Sequence, residues 1–68
     1  MRYAIVIEKA GSNFSAYVPD LPGCIATAAT VSDVETEIRD AIRFHLEGMK
    51  EDGFVVPMPT SIAEYVEA

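Results

Sequence analysis

The chain is poor in the residues that most catalytic, metal and disulfide sites require. Its 68 residues include one cysteine, one histidine and no tryptophan. A single cysteine excludes an intrachain disulfide framework and is typical of a reducing compartment, so we expect a cytoplasmic protein. The apolar run from Tyr3 to Ile7 is too short for a signal-peptide core or a membrane span. We therefore expect no membrane association.

Basic residues are also few. Five Lys and Arg stand against eleven Asp and Glu, which gives a net charge of −6. Proteins that follow a phosphate backbone obtain most of their affinity from basic side chains, so this balance argues against direct binding of nucleic acid. The same charge favours association with a basic protein. The composition therefore indicates a protein-protein role.

The length allows one domain, spanning residues 1–68. A chain this short buries only about 60% of the surface that its unfolded form exposes. Half of its residues are nonetheless apolar, and neither paired cysteines nor metal-ligand spacing adds stability. We therefore expect a homodimer or a larger assembly.

Three strands are predicted in the first half of the chain. Arg2 to Glu8 is rich in β-formers, and Gly11 provides a turn into Asn13 to Val18, where apolar and polar residues alternate. Pro19 ends this second strand, and Cys24 to Ala29 forms a third. The first strand is apolar on both faces, so we expect the helix to cover one face and a second subunit the other.

A long amphipathic helix is predicted next. Ser32-Asp33-Val34-Glu35 has the pattern of a capping box, so the helix is expected to begin at Ser32. Apolar residues then follow one stripe from Val34 to Met49, and Asp52-Gly53 ends the helix. The fold class is α+β: a three-stranded antiparallel meander with one helix packed on one face. For the C-terminal tail two alternatives remain open, a helical turn that begins at Ser61 and a short fourth strand.

No set of side chains predicts an active site. His45 lies inside the apolar stripe of the helix, and Cys24 is interpreted as a small buried residue, since no cationic neighbour is close in sequence. Among the acids only Glu8 and Asp20 lie near strand ends, too few for a nuclease with two metal ions. We predict a protein that is not an enzyme and that needs neither a metal nor another cofactor.

The helix contains seven acidic residues and three basic ones. A solvated face is the default interpretation of such a run. At 100° per residue, however, Phe44 projects away from the apolar stripe toward acidic neighbours. The candidate partner interface is therefore Glu37, Asp40, Phe44 and Glu47. The alternative, in which Phe44 packs under the C-terminal tail or against Tyr3, is left open.

The segment Ala16-Tyr-Val-Pro-Asp-Leu-Pro-Gly-Cys24 has a specific resemblance. Together with the acidic helix ending in His45-Leu-Glu-Gly48, and the Val56-Pro-Met-Pro59 segment, it resembles the HicB family of type II antitoxins. The resemblance implies a partial RNase-H-like fold. It also implies that the following residues form the family scaffold: Tyr17, Pro19, Asp20, Leu21, Pro22, Gly23 and Cys24.

This resemblance further implies a function. HicB antitoxins cover the active site of HicA toxins, which are small basic ribonucleases that cleave mRNA. The chain is therefore expected to bind and mask a HicA-type toxin, and to lack the C-terminal DNA-binding domain that many family members carry. The alternative is an orphan oligomeric interaction domain of the same fold that has no toxin partner.

Overall fold

The computed structural model describes residues 1–68 and contains three strands followed by one helix. The elements are β1 (Val6–Ala10), β2 (Asn13–Tyr17), β3 (Ile25–Ala28) and α1 (Val31–Glu51). The strands form one antiparallel sheet in the order β1-β2-β3. The predicted α+β fold, a meander followed by a long helix, is confirmed.

A tight turn connects β1 and β2. Ala10 lies opposite Asn13 in the register, and Gly11 between them has a φ of 62°, a conformation that favours glycine. Strand β1 begins at Val6, later than the predicted start at Arg2. The reason is that β2 ends at Tyr17, directly opposite Val6, so no strand continues far enough to pair with residues 2–5.

The core lies between α1 and the inner face of the sheet. On the sheet side, the buried side chains include Ala16 in β2 and Val18 directly after it. On the helix side, they are Val34 and Ile38 in the first half of α1. The alternation predicted for β2 is confirmed, because Tyr17 between Ala16 and Val18 is exposed. α1 packs over β2 and β3, which leaves the β1 side of the sheet less covered.

The predicted N-cap of the helix is wrong by two residues. Thr30 is the N-cap, in an extended conformation, and its Oγ1 accepts a hydrogen bond from the Asp33 backbone N–H at 3.0 Å. Ser32 already lies in the first turn, where its carbonyl accepts a bond from Thr36. Both Thr30-x-x-Asp33 and Ser32-x-x-Glu35 match a capping pattern. The earlier one is used because it lets the helix begin directly after β3 and adds half a turn of backbone hydrogen bonds.

The helix ends as predicted, at Asp52-Gly53. The Phe54 N–H bonds to the Met49 carbonyl at 2.9 Å, and the Gly53 N–H bonds to the Lys50 carbonyl at 3.2 Å. These two bonds form a Schellman motif, which requires a left-handed residue, and Gly53 has a φ of 77°.

The C-terminal tail, residues 54–68, forms neither of the two predicted elements. It contains no helix and no strand. Pro57 and Pro59 lack the N–H groups that a strand through this part of the tail would use. The tail is held instead by individual contacts, one of which is a hydrogen bond from the Tyr3 hydroxyl to the Pro57 carbonyl.

Candidate partner-binding surface

The Pro19–Cys24 segment is a compact turn that closes the sheet beneath the helix. The Leu21 N–H bonds to the Val18 carbonyl, and the Cys24 N–H bonds to the Leu21 carbonyl, each at 3.1 Å. The Val18 N–H bonds in turn to the Cys24 carbonyl at 3.2 Å. Leu21 and Cys24 are buried in the core, whereas Pro19, Pro22 and Gly23 are exposed. The motif therefore places two side chains in the core through local backbone bonds.

Asp20 in this turn anchors the distant C-terminal tail. Its carboxylate accepts hydrogen bonds from the backbone N–H groups of Thr60 and Ser61, each at 3.0 Å. The hydroxyls of the same two residues donate to the other carboxylate oxygen, at 3.2 and 2.8 Å. One carboxylate thus fixes the point at which the tail crosses the body of the domain.

These bonds stabilise the charged form of the carboxylate. The backbone N–H of Ser61 makes the largest contribution, followed by the Ser61 hydroxyl, and the pKa of Asp20 is lowered from its ordinary value of 3.8. Desolvation acts in the opposite direction but does not cancel the effect. Asp20 is therefore ionised, and able to hold the tail, throughout the neutral range.

Most acids of α1 form one line along the helix. Asp33, Glu37, Asp40, Glu47 and Glu51 recur at spacings of three and four residues, or at seven where Phe44 fills the intervening position. Residues at these spacings lie on one side of a helix. All five carboxylate side chains are exposed. We call this set, with Phe44, the acidic stripe; at about 1.5 Å per residue it is about 27 Å long.

Phe44 lies in the middle of the acidic stripe. Its ring is 80% exposed, so neither the tail nor Tyr3 covers it, and the alternative that left it packed within the chain is wrong. The three helix residues predicted as its neighbours in a partner interface, Glu37, Asp40 and Glu47, are likewise exposed. The structure therefore brings the four candidate interface residues onto one accessible surface.

A second surface lies on the opposite flank of α1. An open groove with a volume of about 510 Å³ separates the N-terminal segment from the helix. Its apolar lining is Met1, Tyr3, Ile5, Ile38, Ile42 and Leu46. Its helix edge also includes Glu35, Arg39 and Arg43. We call this feature the apolar groove.

The remaining chemically active side chains are dispersed. No three His, Cys, Asp or Glu side chains gather closely enough to hold a metal ion. His45 is half-buried on α1, and burial raises the pKa of the Cys24 thiol, which keeps it protonated at neutral pH. The chain also contains no helix with the length and hydropathy that crossing a bilayer requires.

Sequence reasoning missed two features of this surface. Asp20 was assigned to the scaffold and was not expected to hold the tail, because its partners lie 40 and 41 residues away and no local pattern could indicate the contact. The apolar groove was not foreseen, because it depends on α1 packing over β2 and β3 rather than over the centre of the whole sheet. The one available signal was the apolar character of both faces near Tyr3.

The sequence and fold match a known family. Residues 3–68 match the family model described as the HicB-like antitoxin of bacterial toxin-antitoxin system. The chain belongs to this family. Among solved structures, a chain of the HicA3 and HicB3 toxin-antitoxin complex superposes with a TM-score of 0.76 and is 32% identical. The match covers 87% of this chain and 70% of the other.

Curated relatives of this HicB-like chain come from a phage and from archaea. A 14.9 kDa protein in the rep-hol intergenic region of Haemophilus phage HP1 is 39% identical over 66 residues, which are 97% of this chain and 50% of the relative. A UPF0150 protein of Archaeoglobus fulgidus is 39% identical over 56 residues, with 78% and 81% of the two chains covered. The chain thus spans about half the length of the phage relative.

Proposed function

We propose that this chain is an antitoxin that binds a small basic HicA-type toxin and masks its active site without any catalysis of its own. Membership of the HicB-like antitoxin family supports the antitoxin role. The similarity to a chain from a HicA3 and HicB3 complex supports the identity of the partner. In this proposal residues 1–68 act as one cytoplasmic domain that contacts the toxin rather than nucleic acid.

The acidic stripe is the surface proposed to contact the toxin, and exposure of Phe44 at its centre is the observation that carries the assignment. Contact with water does not stabilise a large exposed aromatic ring. Covering the ring with a partner protein does, because its apolar surface is then removed from water. Aromatic residues at the centre of an interface commonly contribute 2 kcal/mol or more. The surrounding carboxylates would attract a basic partner and speed association.

Binding kinetics test the assignment. Phe44→Ala should weaken the complex with a HicA-type toxin from the same genome by about 2 kcal/mol or more, which is roughly a 30-fold higher Kd. Most of the change should be in the dissociation rate, because the ring acts after encounter. Phe54→Ala is the matched control, since Phe54 is also exposed but lies on the tail beyond α1. It should leave the affinity unchanged.

Two outcomes would contradict the proposal. Equal affinity of the Phe44→Ala variant and the original chain for the toxin would mean that the toxin does not bind at the acidic stripe. A chain that is folded but binds no HicA-type toxin at micromolar concentration would favour the orphan interaction domain. Circular dichroism of each variant separates loss of binding from loss of the fold.

A further inference from the structure

The apolar groove has no occupant within the chain. Its floor is formed by Tyr3 and Ile5 on one side and by Ile38, Ile42 and Leu46 on the other, and it opens to solvent. Ile38 belongs to the core, and the other four side chains pack against the core while remaining partly exposed. An open apolar groove of this kind is a docking surface for a segment that supplies complementary apolar side chains.

The C-terminal tail carries such side chains and leaves them largely exposed. Ile62, Tyr65 and Val66 are 82%, 99% and 89% exposed. Their spacing of three and one residues places them on one side of a helical turn. The segment also begins with Ser61-Ile62-Ala63-Glu64, a capping-box pattern that favours such a turn once its apolar side is covered.

The start of the tail lies outside the groove of its own chain. Met1 and Ile5 line the groove, Arg2 and Ala4 line a separate depression together with residues 61–63, and Tyr3 borders both. Alternate residues of an extended segment point to opposite faces. Since Asp20 also holds Thr60 and Ser61 in place, the start of the tail is fixed beside this second depression rather than in the groove.

The charges of the two elements are complementary. Arg39 and Arg43 stand at the helix edge of the groove together with Glu35, so this edge keeps a net positive charge of one. Neither arginine is engaged in the side-chain hydrogen bonds of the fold. The tail contributes two acids, Glu64 between Ile62 and Tyr65, and Glu67 directly after Val66. A basic toxin would be repelled by these arginines, whereas an acidic apolar segment is attracted.

We propose that the apolar groove of one copy binds residues 62–67 of a second copy, so that two chains exchange tails in a symmetric dimer. Tyr65 buries about 150 Å², Ile62 and Val66 bury about 100 Å² each, and the groove loses a similar area. Two reciprocal dockings then bury about 1,400 Å², within the range of stable interfaces, about 1,200–2,000 Å². Each copy supplies one tail and one groove, so two reciprocal dockings related by a two-fold axis close the assembly at two copies.

Disulfide trapping between differently labelled copies tests the exchange. One copy carries Glu35→Cys at the groove and the other, labelled with ¹⁵N for mass identification, carries Val66→Cys on the tail. Mixing them under mild oxidation should give a disulfide-linked heterodimer as the main product. Glu51→Cys, on the acidic stripe of the same helix, replaces Glu35→Cys in the matched control and should give little heterodimer. Buried Cys24 remains unchanged in every chain.

Other products would overturn the proposal. Equal yields with Glu35→Cys and Glu51→Cys would mean that the tail has no preference for the groove. Closure within a chain that carries both Glu35→Cys and Val66→Cys, without linked dimers, would place the tail in its own groove. Preferential linkage to Glu8→Cys on β1 would mean that the tail docks along the free sheet edge instead.

Charge reversal provides a second measurement that does not depend on cysteine chemistry. Arg39→Glu with Arg43→Glu should raise the dimer dissociation constant at least tenfold in sedimentation equilibrium, with unchanged circular dichroism because both side chains are exposed. Adding Glu64→Lys and Glu67→Lys to the same chain should restore the dimer. A dimer unaffected by the first pair, or not restored by the second, contradicts docking in the groove. The inference stands apart from toxin binding, since the acidic stripe stays free in such a dimer.

Discussion

Removal of the hydroxyl of Thr30 tests how the helix that carries the acidic stripe begins. Thr30→Ala deletes the acceptor for the Asp33 N–H and leaves that donor to water. Loss of an N-cap hydroxyl typically costs about 1 kcal/mol. A domain of this length has a total stability of about 3–10 kcal/mol, so the loss is measurable.

Urea unfolding, followed by circular dichroism, is the assay for this change. With a slope of about 1 kcal/mol per molar, typical of small domains in urea, the midpoint should fall by about 1 M. The melting temperature should fall by roughly 4–8 °C.

Ser32→Ala is the matched control. Ser32 also carries a hydroxyl and lies two residues away, but it sits inside the first turn and its hydroxyl caps nothing. Alanine has the higher helix propensity, so this change should be neutral or add up to about 0.5 kcal/mol. The reverse result, a loss of stability with Ser32→Ala and none with Thr30→Ala, would mean that Ser32 caps the helix, as the sequence pattern predicted.

Three further predictions concern the scaffold and the surface. Leu21→Ala should destabilise the domain by about 2–5 kcal/mol in the same urea assay, because the side chain is 1% exposed in the core. Hydrogen bonding lowers the folded pKa of Asp20, so its contribution to stability is complete above the unfolded value of 3.8 and is lost as the pH falls through the folded value. The protection of the Ser61 amide against exchange, relative to the unfolded chain at the same pH, should therefore fall only below pH 3.8. Asp20→Asn should produce the same loss of protection at neutral pH. Neutral amides at Glu37 and Asp40 should slow toxin association and weaken its salt dependence while leaving dissociation nearly unchanged.

Features encoded by neighbouring residues could be predicted from the sequence. The turn at Gly11, the alternation in β2 and the end of the helix at Gly53 depend on local backbone preferences, and all three are confirmed. The apolar stripe of α1 likewise indicated which side of the helix would meet the sheet. The exposure of Phe44 followed from the same helical geometry.

Features set by contacts between distant segments could not be predicted. The tail has a capping pattern but no helix, because a single turn gains too little from backbone bonds to offset the cost of nucleation. Its path depends on Asp20, which was recognised only as part of a motif. The shorter β1 reflects the end of β2 across the sheet, which is a property of the pairing rather than of residues 2–5 themselves.

Inhibition of toxin-catalysed RNA cleavage tests the central claim most directly. A HicA-type toxin from the same genome is titrated with the chain, and cleavage of a labelled mRNA is followed. We predict that cleavage stops near one antitoxin per toxin for the original chain and for Phe54→Ala, and that Phe44→Ala requires a large excess. Cleavage that persists at saturating amounts of the folded original chain, or that Phe44→Ala inhibits equally well, would contradict the account.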